Sequence, residues 1–202
     1  MVAIIDYGMG NIHSVRKAIE FCGGKVAIVD KAQGLESAKK VILPGVGAFD
    51  DAMEELNKRK LTSAILSAVK AGKPLLGICL GMQLLFTASE EGKQKGLGIL
   101  KGKVRLLKGE DIKIPHIGWD QISLRGKCPL LEGVADSSYV YFCHSYYPEP
   151  RDKAAVAAST DYGLDFASMV YQGNVFGAQF HPEKSQKVGL EILKNFVEMP
   201  CS

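Results

Sequence analysis

The chain has 202 residues, 47% of them hydrophobic and 23% charged, with a formal net charge of +3. Those values predict a single domain, residues 1–202, large enough to bury its own core. The small charge and the lack of a basic run argue against nucleic acid, and no apolar segment approaches the ~20 residues of a membrane span.

Residues 2–6 form an apolar run that predicts a strand and ends in Tyr7-Gly8-Met9-Gly10-Asn11. A helix follows, with Ile12, Val15, Ile19 and Cys22 on one face and Gly23-Gly24 as its stop. Residues 25–29 and 41–43 predict two more strands, the second running into Pro44-Gly45-Val46-Gly47. Asp50 is placed to cap the next helix, and Leu61, Ile65 and Val69 carry the helical period towards Gly72. Residues 73–86 begin as a strand and continue as a helix. Such alternation predicts an α/β fold with a mostly parallel sheet, helices on both faces and function at the strands' C-terminal ends. Past Gly92 the pattern changes: 98–107, 112–124, 139–146 and 166–180 read as strands and hairpins, with a turn at Gln172-Gly173-Asn174. They predict an antiparallel extension of the same sheet. A last helix near 185–197 carries Val188, Ile192 and Phe196 on one face, beside Leu193 and Val197.

The chemically informative stretch is Gly77-Ile78-Cys79-Leu80-Gly81. It reads as a nucleophile elbow with cysteine in place of serine, in which glycines let neighbouring backbone approach closely. A sharp strand-to-helix turn lifts the sulfur above the sheet, and a helix N-terminus beside it favours the thiolate. The Leu80 N–H then points where an oxyanion would form. The other cysteines, Cys22, Cys128, Cys143 and Cys201, show no C-x-x-C spacing. All five therefore predict reduced thiols of a cytoplasmic protein, with neither a disulfide frame nor a metal site. The chain enters its first strand directly, without the pattern of a signal peptide.

A cysteine nucleophile needs a base, and four histidines are present: His13, His116, His144 and His181. His181 precedes Pro182, which predicts an extended backbone, and residues two apart on an extended chain share a side. Glu183 can therefore orient the ring while its other nitrogen faces Cys79, giving nucleophile, base and orienter. His13 reads as a helix-surface or packing residue, His116 as structural or at a contact surface. For His144, aromatic packing is the simpler account and a pocket role the alternative. A second oxyanion donor can come from the turn at 44–47. Gln83, one turn beyond Cys79, reads as a substrate contact or as an ordinary surface side chain.

Gly77-Ile-Cys79-Leu-Gly81-Met-Gln83 together with His181-Pro-Glu183 resembles the class I, triad-type glutamine amidotransferases. Asp6-Tyr-Gly-Met-Gly-Asn11, Pro44-Gly-Val-Gly47, Pro115-His-Ile-Gly-Trp119, His144-Ser-Tyr146 and His181-Pro-Glu-Lys-Ser185 resemble its histidine-pathway branch, the glutaminase subunits of imidazole glycerol phosphate synthase. The resemblance implies a flavodoxin-like three-layer fold and L-glutamine as substrate, with Cys79, His181 and Glu183 catalytic and no cofactor or metal. It also implies Leu80 and Val46 at the oxyanion hole, and Gly47, Gln83, Glu91, Ser145 and Tyr146 on glutamine, Glu91 pairing the ammonium group. Trp119 and Lys184 would face a cyclase subunit, a (β/α)8 barrel, in a heterodimer that receives the ammonia. Sister glutaminases commonly carry glycine where Val46 stands, a departure that bears on the direction of its N–H. Glutaminases of pyridoxal phosphate, purine or anthranilate synthesis are the in-class alternative, and a non-catalytic member of the fold is a second. A nucleotide-binding reading rests on Gly8-Met9-Gly10 with Asp30, but His13 stands where the fingerprint's third glycine belongs.

Overall fold

The computed structural model describes residues 1–109 and 112–200. Cys201, one of the five predicted thiols, lies outside the described residues; Cys22, Cys79, Cys128 and Cys143 are free.

The first half follows the expected alternation. β1 (Val2–Ile5), β2 (Val26–Val29), β3 (Lys40–Gly45) and β4 (Leu75–Cys79) are linked by α1 (Ile12–Phe21), α2 (Phe49–Lys58) and α3 (Leu61–Lys70). After β4 come α4 (Leu80–Leu84), β5 (Ala88–Ser89), β6 (Gly102–Leu106), β7 (His116–Leu124), β8 (Ser138–His144) and β9 (Tyr146–Pro150). The chain closes with β10 (Val156–Asp161), β11 (Asp165–Gln172), β12 (Val175–Ala178) and α5 (Gln186–Glu198). Among the described residues, nine strands form one sheet in the order β2-β1-β3-β4-β12-β11-β10-β7-β8. Pairing is parallel from β2 through β12 and antiparallel from β12 to β8.

Strand alternation divides the core into two layers. Ala3, Ile5, Val41, Leu43 and Leu75 face Phe49, Met53 and Leu56 of α2 and Leu61 and Ile65 of α3. Val2, Ile4, Ile42, Leu76 and Ile78 face Val15 and Ile19 of α1 and Ile192, Leu193 and Phe196 of α5. Burying strands on both faces is what makes them read as unbroken apolar runs. Among the described residues no helix is long and apolar enough to cross a membrane.

Several expectations need correction. Asp50 does not cap α2: Ala48 holds the cap position, and the Asp50 carboxylate accepts from the Lys93 and Gln94 N–H groups instead. The helix after Cys79 stops at Leu84, short of Leu85 and Phe86. Every residue from 80 to 86 is buried, so the apolar pattern carries no solvent face to mark its end. A returning loop takes its last carbonyls, with Leu97, Leu100 and Gly98 donating to Leu84, Leu85 and Phe86. The antiparallel half is not all one sheet, because β5, β6 and β9 form a separate three-stranded sheet. The single strand expected over 139–146 breaks at Ser145, where the chain leaves one sheet for the other. Residues 98–101 and 112–115 lie outside the strands expected there, and β10 is a strand that the sequence pattern does not predict. Its small, half-polar sequence Val-Ala-Ala-Ser-Thr-Asp has little apolar signal.

Candidate active site

The cleft lies over the C-terminal ends of β3, β4 and β12, where an open α/β sheet places its ligands. Cys79 ends β4 with φ 53° and ψ −111°, a conformation that costs a non-glycine residue about 1–3 kcal/mol. Close packing forces the turn around it. A Cβ on Gly81 would sit 1.8 Å from the Leu43 carbonyl oxygen, and one on Gly77 would sit 2.7 Å from the Gly81 oxygen. The elbow glycines are therefore where α4 is pressed against β3 and β4. Leu80, the first residue of α4, has no intrahelical acceptor for its N–H. With only five residues, α4 brings a weak dipole, so the local N–H matters more than the helix.

His181 is extended at φ −96° and ψ 97°, as its position before proline requires. Glu183 reaches it differently from the expected alternation: Pro182–Lys184 form one 3₁₀ turn, which folds the carboxylate back under the ring. His181 Nδ1–H donates to Glu183 Oε1 at 2.8 Å, and the Glu183 side chain is 1% exposed. Cys79 and the His181 ring line the same cleft. Burial opposes charge on His181, but the sulfur and the carboxylate outweigh it and push the imidazolium pKa up to about 10. The His181 main chain is itself tied to β8: its N–H donates to the Tyr141 carbonyl at 2.9 Å, and Ser185 Oγ bridges its carbonyl to the Tyr141 N–H.

One cleft of about 290 Å³ is lined by Cys79, His181, Leu80, Val46, Gly47, Gln83, Glu91, Ser145, Tyr146 and Lys184, and Glu183 sits behind the His181 ring. Trp119 does not reach this cleft. It is 45% exposed on a neighbouring depression with Tyr139 and Lys187, and packs edge-on to the Tyr141 ring. Lys184 Nζ lies over that same ring, 5.7 Å from its centroid.

The Val46 N–H donates to the Met9 carbonyl at 3.3 Å, so in this state it is engaged away from the sulfur. The oxyanion hole expected of Leu80 and Val46 thus has one of its two donors turned elsewhere. The Gly8-Met9-Gly10 turn closes over the 44–47 turn, helped by Tyr7 Oη–H donating to the Pro44 carbonyl at 2.9 Å. Asn11 caps α1 by accepting from Ser14 N–H, so its side chain occupies the helix N-terminus that a dinucleotide reading would reserve for phosphate. Glu91 Oε2 accepts from the Phe49 N–H at the start of α2. Burial, then Asp50 and Asp51 nearby, raise its pKa, partly offset by that hydrogen bond. A half-buried carboxyl raised in this way is stabilised by any cation entering the cleft.

Two buried histidines have structural surroundings. His116 stacks on Tyr162 and Phe142 at 3.8 and 4.8 Å between centroids. His144 does both things expected of it: it packs against Phe166 and also lines the cleft, donating through Nδ1 to the Tyr146 carbonyl; burial pushes its pKa down to about 3, so it is neutral. His13 is exposed on α1. Sequence reasoning overlooked Gln179, buried on the strand end before His181, whose Nε2 lies 3.7 Å from the Cys79 sulfur. Only its place two residues before the histidine hinted at it.

The family model described as glutamine amidotransferase class-I matches residues 3–199. The chain is 51% identical to the imidazole glycerol phosphate synthase subunit HisH of Geobacillus kaustophilus, covering 98% of this chain and 96% of that one. It is 49% identical to the subunit of the same description from Bacillus subtilis, with 98% and 96% covered. A solved structure described as glutamine amidotransferase superposes with a TM-score of 0.76 at 21% identity, covering 96% of this chain and 98% of that one.

Proposed function

The chain belongs to the class-I glutamine amidotransferases, within them to the HisH subunits of imidazole glycerol phosphate synthase, and we propose from that premise how its cleft works. It hydrolyses glutamine to glutamate and ammonia for histidine biosynthesis. The thiolate of Cys79 attacks the side-chain amide carbon of glutamine, and the carbonyl oxygen takes up the negative charge. Leu80 N–H shelters that oxygen; Val46 N–H joins it only after leaving Met9. His181 passes its proton to the departing ammonia, leaving a glutamyl thioester. It then takes a proton from the water that attacks the thioester, and glutamate leaves with the thiolate restored. Glu183 keeps Nδ1 protonated and the ring in place throughout.

Glutamine enters with its ammonium group on Glu91 and its backbone along Gly47, Ser145 and Tyr146, with Gln83 beneath. The raised pKa of Glu91 supports that assignment, since an ammonium group beside it would stabilise the carboxylate that burial, Asp50 and Asp51 destabilise. The observation carrying the reading is the sulfur of a positive-φ cysteine beside an imidazole held at 2.8 Å by a buried carboxylate. A cyclase subunit with a (β/α)8 barrel docks in the cytoplasm over the cleft and the adjoining face, meeting Lys184 and Trp119, and takes up the ammonia. Exposed Ile117, Trp119 and Tyr139 support this, because they share one face of the β7–β8 ladder.

The test mixes the chain with a cyclase subunit and its nucleotide acceptor and follows glutamate released from glutamine, with Cys79→Ala as the blank. Glutamate release that needs Cys79 and rises with the partner is expected. No release under any pairing overturns the proposal.

A further inference from the structure

The buried side chains behind Cys79 form a relay whose direction is fixed from one end. Two donors converge on the Tyr146 carbonyl, Gln83 Nε2 and His144 Nδ1, each at 2.9 Å. A carbonyl only accepts, so Gln83 must present its NH₂ there. The same NH₂ meets Gln179 Oε1 at 3.1 Å, which turns the Gln179 NH₂ the other way, onto Cys79 Sγ at 3.7 Å. Gln179 is 0% exposed, so its amide has no solvent alternative. Each orientation follows from the previous one, starting at a main-chain oxygen.

We infer that Gln179 is a positioning residue for the nucleophile: its Nε2–H donates to Cys79 Sγ and holds the thiolate against the His181 ring, while Gln83 sets the direction of that donor. The inference rests on the reading of Cys79 as the nucleophile. Hydrogen bonding to an anion in a buried site favours the anion. On the opposing side, the Cys143 carbonyl can accept from the thiol at 3.8 Å, which favours the protonated form. The other titratable groups around the sulfur are His181 with Glu183 behind it, Glu91, Cys143 and Lys184 on the cleft wall, and Tyr7 and His144, both held neutral by burial. The Tyr7 hydroxyl donates to Pro44 and not to the sulfur. Gln179 is therefore the buried amide whose N–H meets the sulfur.

Gln179→Glu keeps the shape of the side chain and an acceptor towards Gln83 but sets a carboxylate oxygen, which repels the thiolate, where the donor to the sulfur was. Gln179→Met removes all polarity at similar volume. The experiment measures the iodoacetamide alkylation rate of Cys79 against pH in the full chain, by peptide mass mapping, for variants whose near-ultraviolet circular dichroism matches wild type. In both variants the midpoint of the profile is expected to rise by about one pH unit, a roughly tenfold loss of thiolate at a fixed lower pH. Partner-stimulated kcat falls about tenfold with KM for glutamine nearly unchanged, the pattern of an interaction with the reacting atom and not of lost binding. An unmoved midpoint in either variant, with wild-type Cys79 reacting fast, overturns the role of Gln179 alone. Wild-type Cys79 reacting no faster than the exposed Cys143 overturns the nucleophile reading and this inference with it.

Discussion

Glu183→Gln isolates what the buried carboxylate contributes. The substitution is isosteric, and the side chain is 1% exposed with its oxygen 2.8 Å from His181 Nδ1, so water cannot replace the lost charge. A charge-assisted hydrogen bond of this kind contributes about 1.5–3 kcal/mol, roughly double a neutral one. Taking ~2 kcal/mol as the loss and ~1.4 kcal/mol per pH unit, the His181 pKa falls about one and a half units from its value of about 10. The imidazolium that forms in the transition state loses the same ~2 kcal/mol, a factor of roughly 30 in kcat. If the new amide turns its NH₂ towards Nδ1, the wrong tautomer is favoured, and the loss approaches the ~10⁴ typical of triads whose orienter is so altered. The assay is partner-stimulated glutamate release against pH. Stability offers an independent check. A group raised in the folded state stabilises fully below its unfolded pKa, about 6.5, and that stability is lost as pH rises through about 10. The urea-midpoint gap between wild type and E183Q is therefore full below about pH 6.5 and closes towards pH ~10. A kcat within about threefold of wild type, or a gap independent of pH, refutes the reasoning.

The same geometry fixes further outcomes. Isolated chain turns glutamine over slowly because Val46 N–H is bonded to Met9, and Val46→Gly, by easing rotation of that peptide, raises unstimulated glutamate release several-fold; unchanged basal rates count against this. Glu91→Gln raises KM for glutamine about tenfold with a smaller effect on kcat, measured by steady-state kinetics. In wild type KM climbs as pH falls through the Glu91 pKa, starting at a higher pH than for an exposed glutamate, because burial raises that group. Gly81→Ala places a Cβ 1.8 Å from the Leu43 oxygen, so α4 must lift off β3; a loss of about 3 kcal/mol or more in urea unfolding is expected, with activity falling too.

The parts of the molecule legible in sequence are those whose cause is local. The parallel half announces itself because β1, β3 and β4 are buried on both faces, and Gly77 and Gly81 mark a turn that no side chain could share. His181 and Glu183 were legible as a pair, although a 3₁₀ turn and not strand alternation brings them together. What was hidden depends on distant main chain. The length of α4 is set by the loop at 97–100 that takes its carbonyls. The break at Ser145 depends on β9 pairing with β6, and the resting direction of the Val46 peptide on Met9. Gln179 faces Cys79 because β12 lies beside β4, a neighbour relation that no local pattern encodes.

The central claim, that Cys79 attacks the glutamine side chain in this cleft, is tested most directly by a diazoketone analogue of glutamine, which traps a reacting thiol as a stable thioether. Peptide mapping of the chain with its cyclase partner should find a single adduct, on Cys79, suppressed by excess glutamine and abolished in Cys79→Ala. An adduct on Cys143 or Cys128 instead, or labelling that glutamine does not suppress, contradicts the account.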